Sequence, residues 1–242
     1  VLLVIAGIFY LFFKTKLREA NKRNQVEKAL NRSRQQALSA QMNPHFIYNS
    51  LNSVQNYILK NEPLKSSEYL SKLGDLMRRI LNNSQHSSIT LQEELEALKK
   101  YVEMERLRFH QDFDFEIFID REIEPKKIKV PPLIIQPYVE NAIHHGLRLK
   151  EGEKKLKVHL FQQEQKINIH IEDNGIGRER AGRLRSQSAS KHKSHGLNIT
   201  NKRLLLFEEA YNNNLTISTF DANPNDKQNK GTRVEIQFSS FN

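Results

Sequence analysis

The hydrophobic period of the chain changes near residue 111, and this change limits what the sequence can fold into. Before it, apolar residues recur every three or four positions, the spacing of one helix face. After it, apolar and polar residues alternate, the spacing of strands with one buried face. The alternating segments are FDFEIFI, KLKVHLF, KINIHIE, LTISTF and RVEIQFS. The sequence therefore predicts a helical part followed by a part that contains both strands and helices.

Three amphipathic helices are predicted between residues 43 and 110. The first begins at Pro44 and the second at Pro63, because the first turn of a helix tolerates the missing N–H of proline. The third follows Thr90, which has capping-box spacing to Glu93. Their apolar stripes are Ile47, Leu51, Val54 and Ile58; Leu70, Leu73, Met77 and Ile80; and Leu91, Leu95, Leu98 and Val102. The first two helices are predicted to form a hairpin that dimerises into a four-helix bundle.

Residues 111–242 are predicted to form an α+β domain. The helical stretches PPLIIQPYVENAIHHGL and HGLNITNKRLLLFEEAY separate the alternating segments. This order predicts helices on one face of a largely antiparallel sheet. The segment 178–194 is long, basic and rich in serine, so we predict a flexible lid there.

Thirteen uncharged residues, VLLVIAGIFYLFF (1–13), open the chain. A membrane span needs about 20 apolar residues, so we expect the natural protein to continue upstream of Val1 and this segment to end a transmembrane helix. A buried core segment or a signal peptide is the alternative, but the basic residues of a signal peptide precede its apolar run. Residues 14–42 are predicted to form a juxtamembrane signalling helix, either as a weak coiled coil or as a solvated single helix.

The charge and cysteine content limit the partners. The formal net charge is +10, and residues 14–42 hold eight Lys or Arg against two Glu. Basic residues that follow an apolar segment place the rest of the chain on the cytoplasmic side of the membrane and argue against direct nucleic-acid binding. The chain contains no cysteine, which excludes disulfides and thiolate chemistry.

The segment QMNPHFIYNSLNSVQNYI (41–58) offers a candidate nucleophile, His45. His45 is two residues from Ile47, so it is expected to point about 200° away from the predicted stripe. Neutral imidazole carries a reactive lone pair near neutral pH. Asn49 lies one turn further and can hydrogen-bond the ring or a transferring phosphoryl group. The alternative is an ordinary solvated face, which we prefer for Asn52 and Asn56.

Four short motifs in the α+β part suit a nucleotide. Asp173 closes a strand in IEDNGIG, where the glycines let the backbone approach a ligand. Glu140 and Asn141 in QPYVENAIHHG offer oxygen ligands for Mg²⁺. Gly196 in SHGLNITNKRL lies at a helix start, where phosphate is favoured, and KGT leads into the last strand. Each motif is weak alone, but their order is specific.

In this order the motifs resemble those of the GHKL ATPase superfamily, which includes gyrase, heat-shock chaperones and histidine kinases. VENAIHHG resembles its N-box, EDNGIG and SHGLNITNKRL its two glycine boxes, and KGT its last motif. With the His45 motif, the hairpin and TLQEELEALKKYVEMERLRF, residues 40–240 resemble the LytS/YehU-type sensor histidine kinases. The resemblance implies a Bergerat-type ATPase sandwich, ATP and Mg²⁺ as cofactors, a homodimer, and phosphotransfer to a response regulator of the LytTR type.

The resemblance also implies residue roles. His45 becomes the phosphoacceptor, Asn141 the Mg²⁺ ligand and Asp173 the acceptor for the adenine amine. Asn49 and Glu140 are expected to assist transfer, Glu140 as a base. The other implied nucleotide contacts are His144, Gly175, Gly177, Gly196, Leu197, Arg203 and Thr232, while His145 is expected to be structural and Arg203 has a surface ion pair as its alternative.

Two residues depart from the superfamily pattern. Pro137 replaces the first Asn of the N-box, as in one kinase subfamily, and Ser194 replaces the first Gly of the second glycine box. The second change puts the detailed lid geometry in question.

The preferred hypothesis is a two-component sensor histidine kinase that autophosphorylates on histidine. The alternatives are a non-catalytic nucleotide-binding signalling scaffold and a GHKL ATPase clamp. The predicted domains are 1–13 (end of a transmembrane helix), 14–42 (signalling helix), 43–110 (dimerisation and phosphoacceptor domain) and 111–242 (ATP-binding domain).

Overall fold

The computed structural model describes residues 14, 16, 44–86, 88–109, 113–187, 215–226 and 230–239, with the backbone alone at 44, 45, 109 and 184–187. The chain divides into two units, Val1–Met42 and Asn43–Asn242, and the elements below belong to the second. The predicted membrane segment, most of the signalling helix and the end of the predicted lid lie outside the described residues. Within the described ranges, no helix is both long and apolar enough to cross a membrane.

Three long helices lie within the described part of residues 44–109. They are α1 (Pro44–Leu59), α2 (Pro63–Ser84) and α3 (Leu91–Phe109). The predicted starts of α2 and α3 are confirmed. The capping box before α3 is also confirmed, because the Glu93 amide donates to Thr90 Oγ1 at 3.2 Å and the Thr90 amide donates to Glu93 Oε2 at 2.7 Å. These reciprocal bonds satisfy amide groups that have no partner within the helix.

The buried face of α1 differs from the predicted stripe. Leu51 and Ile58 are 51% and 59% exposed, whereas Phe46 and Tyr57 are buried. The two aromatic side chains turn towards α3: the rings of Phe46 and Tyr101 lie 5.3 Å apart, and the Tyr57 hydroxyl donates to the carbonyl of Leu107 at 3.1 Å. Large rings bury more apolar area than aliphatic side chains, so they take the core positions. The orientation expected for His45 stays untested, because only the backbone of His45 is described.

The stripe predicted for α2 is partly wrong and the stripe predicted for α3 is correct. Leu70 of α2 is 45% exposed while its neighbour Tyr69 is buried. All four apolar residues predicted to be buried on α3 are buried. Helix α3 therefore buries one continuous apolar stripe.

The α+β class is confirmed, and the strands form one mixed sheet with a small second sheet. The strands are β1 (Ile89–Thr90), β2 (Asp114–Ile119), β3 (Lys129–Val130), β4 (Lys155–Gln163), β5 (Lys166–Asp173), β6 (Leu215–Phe220) and β7 (Thr232–Ser239). The large sheet has the order β2-β4-β5-β7-β6, and the small one pairs β1 with β3. Strands β2 and β4 are parallel, whereas the other neighbours in the large sheet are antiparallel. All five alternating segments form strands, as predicted.

Two further helices cover one face of the large sheet. They are α4 (Gln136–Asn141), which continues as a π-helical segment over Ala142–Leu147, and α5 (Arg178–Gln187). The apolar side chains of β4, β5 and β7 form one buried cluster with Val139, Ile143 and Leu147 of this helical segment. The opposite face is polar and carries cross-strand ion pairs such as Arg233–Glu172. This arrangement brings the π-helical segment next to the end of β5, where Asp173 pairs with Thr232 of β7.

Candidate functional site

A cavity of about 200 Å³ lies where α4, the end of β5 and the start of β7 meet. Asn141, His145 and Gly146 line it from the helical segment, and Asp173 and Thr232 line it from the strands. Most of its surface is apolar, so the few polar groups that reach it decide what it can bind.

Asp173 is the buried acid of this cavity. Its side chain is only 3% exposed, and its Oδ1 accepts a hydrogen bond from the Gly175 amide at 2.8 Å. Burial raises the pKa of Asp173 to about 7, although hydrogen bonds from Gly175 and Thr232 act against the rise. A buried carboxyl fixed by two backbone donors is a preorganised acceptor for an amine at the cavity wall.

Glycine is required where the loop after β5 meets the π-helical segment. A Cβ at Gly175 would lie 2.4 Å from the carbonyl carbon of Gly146 and 2.5 Å from its Cα. A Cβ at Gly146 would lie 2.7 Å from Asp173 Oδ1. The two backbones therefore touch directly beside the acid. Gly177 has a φ of +78°, a conformation that other residues rarely adopt.

Replacing Gly175 with alanine should destabilise the domain. The added Cβ meets backbone atoms of Gly146 and the buried carboxyl of Asp173. Neither can move aside easily, so we expect a loss of about 1–3 kcal/mol in the free energy of unfolding. Urea unfolding followed by circular dichroism measures it. Gly74→Ala is the matched control, because a Cβ at Gly74 of α2 meets nothing within 4 Å and should stabilise by up to about 1 kcal/mol. Equal stability of the two variants would contradict the close contact at Gly175.

The structure places His144 and His145 on different sides of the helical segment. His145 lines the cavity, although the sequence suggests a structural role for it. The ring of His144, expected near the phosphates, instead contacts two charged residues of α3: its Nε2 lies 3.3 Å from Glu105 Oε2, and Arg108 Nη2 lies 3.4 Å from the ring nitrogens. No nucleotide is present to test either expectation, but the cavity is nearer to His145.

Glu140 lies on the side of α4 that faces α3. Burial is the main cause of the raised pKa of Tyr101 and of Glu105, and the negative charge of Glu140 raises both pKa values further. Asn141, the next residue, lines the cavity. Glu140 and Asn141, both predicted to offer oxygen ligands, therefore have different surroundings: Asn141 is at the cavity and Glu140 is near α3.

Sequence reasoning missed the buried charges of α3. Glu94 and Glu105 are 1% and 0% exposed, and the Arg108 side chain is 7% exposed. Burial raises the pKa of Glu105 to about 7, with Arg108 acting against it. A signal was present, because Glu94 and Glu105 share helical spacing with the buried Leu98 and Tyr101. A carboxylate on an apolar stripe is rarely buried without a partner.

The cavity fits a nucleotide with a divalent cation. Asp173 supplies an acceptor at the cavity wall, and the amide oxygen of Asn141 is a hard ligand of the kind that Mg²⁺ accepts. Three predicted contacts, Gly196, Leu197 and Arg203, and the departure at Ser194 lie outside the described residues.

The chain is similar in sequence to known histidine kinases. Residues 33–113 match the family model described as histidine kinase. The chain is 30% identical over 191 residues to the sensor protein LytS of Bacillus cereus, and 30% identical over 236 residues to the sensor histidine kinase YesM of Bacillus subtilis. Over most of its length, the chain is therefore similar to sensor histidine kinases, as the motifs predict.

The matches cover most of this chain but a smaller share of each relative. They include 78% and 96% of this chain but 32% of LytS and 38% of YesM, so the chain spans about a third of these relatives. Among solved structures, the mycobacterial sensor histidine kinase MprB is similar with a TM-score of 0.43 and 16% identity, over 64% of this chain and 99% of that one.

Proposed function

We propose that this chain is the kinase part of a two-component sensor histidine kinase, which binds Mg–ATP and transfers the γ-phosphoryl group to His45. The observation that carries the proposal is the buried Asp173 with its glycine contact, in a chain whose histidine kinase match spans His45. An acid at the cavity wall suits the exocyclic amine of adenine, and the family match supplies the acceptor.

Different residues of the site would contact different parts of the nucleotide. Asp173 would accept from the adenine amine, and Asn141 would hold Mg²⁺ together with phosphate oxygens. Gly175, Gly177 and Thr232 would line the rest of the site. Family resemblance alone supports Gly196, Leu197 and Arg203, and His144 keeps only that support for a phosphate contact. Mg²⁺, when bound, neutralises charge on the phosphate oxygens.

Transfer to His45 requires a neutral ring. The lone pair of one ring nitrogen forms the N–P bond, the bond between the γ-phosphorus and the bridging oxygen breaks, and ADP leaves. The proton on the other ring nitrogen then passes to a base. Asn49, one turn further along α1, would hydrogen-bond the ring or the phosphoryl group.

Glu140 is our candidate for the base. Support comes from the contacts around it: Phe46, which follows His45, packs on Tyr101, and the charge of Glu140 raises the pKa of that same tyrosine. The start of α1 and Glu140 therefore have a common neighbour on α3.

The partners follow from the surface and the family. Helices α1 and α2 expose several large apolar side chains, which supports a homodimer through the hairpin: Tyr48, Leu51, Ile58, Leu59, Leu64, Leu70 and Leu81. The phosphoryl group would pass to an Asp of a response regulator, of the LytTR type by resemblance to LytS-type kinases. Residues 1–13 would anchor the protein in the bacterial cytoplasmic membrane, with the kinase part on the cytoplasmic side.

Phosphate mapping tests the proposal. After incubation with Mg²⁺ and γ-labelled ATP, we expect label that is lost in acid and retained in alkali, on a peptide that contains His45. Tight ATP binding without label would instead support the signalling scaffold. Steady release of inorganic phosphate without label would support the ATPase clamp.

A further inference from the structure

Helix α3 contacts the start of α4 through a buried carboxylate. Glu94 accepts hydrogen bonds from the amides of Leu133 at 2.8 Å and Ile135 at 3.0 Å. Ile135 is the N-cap of α4 and provides no side-chain cap of its own. Amide groups at a helix start need an acceptor, and here the acceptor comes from another helix.

The chain just before α4 has an unusual conformation. Leu133 has a φ of +63° and is 7% exposed. Such a backbone costs a non-glycine residue on the order of 1–3 kcal/mol and persists where its surroundings hold it. The hydrogen bond from the Leu133 amide to Glu94 is one of the contacts that hold it.

Helix α3 also contacts the far end of the same segment. Arg108 uses its two terminal nitrogens differently: Nη1 lies 2.9 Å from Glu105, and Nη2 lies 3.4 Å from the ring of His144. All three side chains are less than a tenth exposed. Glu105 Oε2 also lies 3.3 Å from His144 Nε2, so the carboxylate and the guanidinium together join α3 to the π-helical segment.

The two contacts are separated by the same number of residues on α3 and on the segment that α3 contacts. Glu94 and Glu105 are eleven residues apart, about three helical turns, so they share one face of α3. Leu133 and His144 are also eleven residues apart. Asn141 lies between these contacts and Gly146 lies just beyond the second, so both cavity residues belong to the segment that α3 holds.

We propose that Glu94, Glu105 and Arg108 are positioning residues that hold α4 and its π-helical segment on α3, and thereby place Asn141 and Gly146 for nucleotide binding. The nucleotide part rests on the proposed function. Buried ion pairs are a poor source of stability, since apolar replacements of similar volume often do as well or better. Holding one segment in one orientation gives these charges a role that apolar packing lacks.

Arg108→Lys in the full chain is the sharpest test. Lysine keeps a cation beside Glu105 but has one terminal nitrogen where arginine has two, so it loses the separate contact that Nη2 makes with His144. We expect the melting temperature without nucleotide to stay within a few degrees, the Kd for Mg–ATP to rise about tenfold, and amide exchange over residues 136–147 to quicken about tenfold. Calorimetry and hydrogen exchange measure these effects.

Arg79→Lys is the matched control. Arg79 pairs with Glu96 of α3 at 3.0 Å, but both side chains are 42% exposed. The same substitution there should leave the Kd and the exchange of residues 136–147 within twofold of wild type.

The outcomes separate the inference from the proposed function. If Arg108→Lys binds Mg–ATP and protects residues 136–147 as wild type does, the positioning role is wrong. If wild type binds no ATP, the proposed function fails, while the exchange comparison still tests the bridge. Should Arg108→Lys fail to fold, the same two measurements are made on the neutral double variant Glu105→Gln/Arg108→Met. If its amide exchange over residues 136–147 and its Kd for Mg–ATP equal those of wild type, the inference is overturned.

Discussion

Replacing His45 with glutamine should abolish the transfer of phosphate from ATP to the chain and leave ATP binding unchanged. Glutamine has similar polarity and length, but its amide nitrogen has no available lone pair to attack phosphorus. We expect labelling to fall by at least about 10³-fold, the scale seen when a group that acts only in the transition state is removed. Labelling with γ-labelled ATP and calorimetric titration with Mg–ATP measure the two effects.

His86→Gln is the control for this substitution. His86 lies just after α2 and is exposed, so its loss should leave labelling and affinity at wild-type values. Acid-labile label that persists in His45→Gln would show that another histidine accepts the phosphoryl group. A loss of ATP affinity in the same variant would mean that His45 contributes to the nucleotide site.

Local chemistry explains the elements that the sequence predicts well. The capping box at Thr90 and Glu93 needs only residues three positions apart, and the structure contains both of its reciprocal bonds. The five strands follow from strict alternation, which a helix cannot satisfy on one face. Asp173 and Gly175 are similarly local, because the acid accepts from an amide two residues away.

Contacts between distant segments explain what the sequence does not predict. The buried face of α1 depends on which of its residues pack against Tyr101. Phe46 makes this contact, and the predicted aliphatic stripe does not set the buried face. The backbone partners of Glu94 lie 39 and 41 residues further along the chain, and His144 lies 39 residues beyond Glu105. A pattern along one helix can mark such a carboxylate as unusual, but it cannot identify its partner.

The π-helical segment explains the placement of the two histidines. The resemblance implies a nucleotide contact for His144, whereas an ideal α-helix would put the His144 and His145 side chains about 100° apart. The Arg148 amide instead donates to the carbonyl of Ile143 at 2.9 Å, a bond that spans five residues. Wider turns of this kind rotate the following side chains relative to an α-helix and occur frequently at functional sites. Here His145 and Gly146 are at the cavity and His144 is against α3.

Replacing Asp173 with asparagine should weaken ATP binding by about 100-fold, which corresponds to about 2.8 kcal/mol. The carboxyl already accepts hydrogen bonds from Gly175 and Thr232, so an amide group would turn its own N–H₂ towards a donor. The proposed bond to the adenine amine would weaken with it. Calorimetric titration with ATP measures the loss, and inosine triphosphate, which has an oxygen in place of that amine, is the matched ligand.

Two comparisons decide whether Asp173 recognises adenine. Wild type should prefer ATP to inosine triphosphate, and Asp173→Asn should lose most of this preference; an unchanged preference would contradict the proposed bond. Stability gives the second comparison, because burial raises the pKa of Asp173 from its ordinary 3.8 to about 7. The folded protein then keeps a proton that the unfolded chain releases between these values, so the contribution of Asp173 to stability falls as the pH rises through that window and is lowest above about 7. Asparagine does not titrate, so the stability of the variant relative to wild type should increase from pH 5 to pH 8 in urea unfolding. A difference that stays constant would mean that Asp173 is not the buried acid described here.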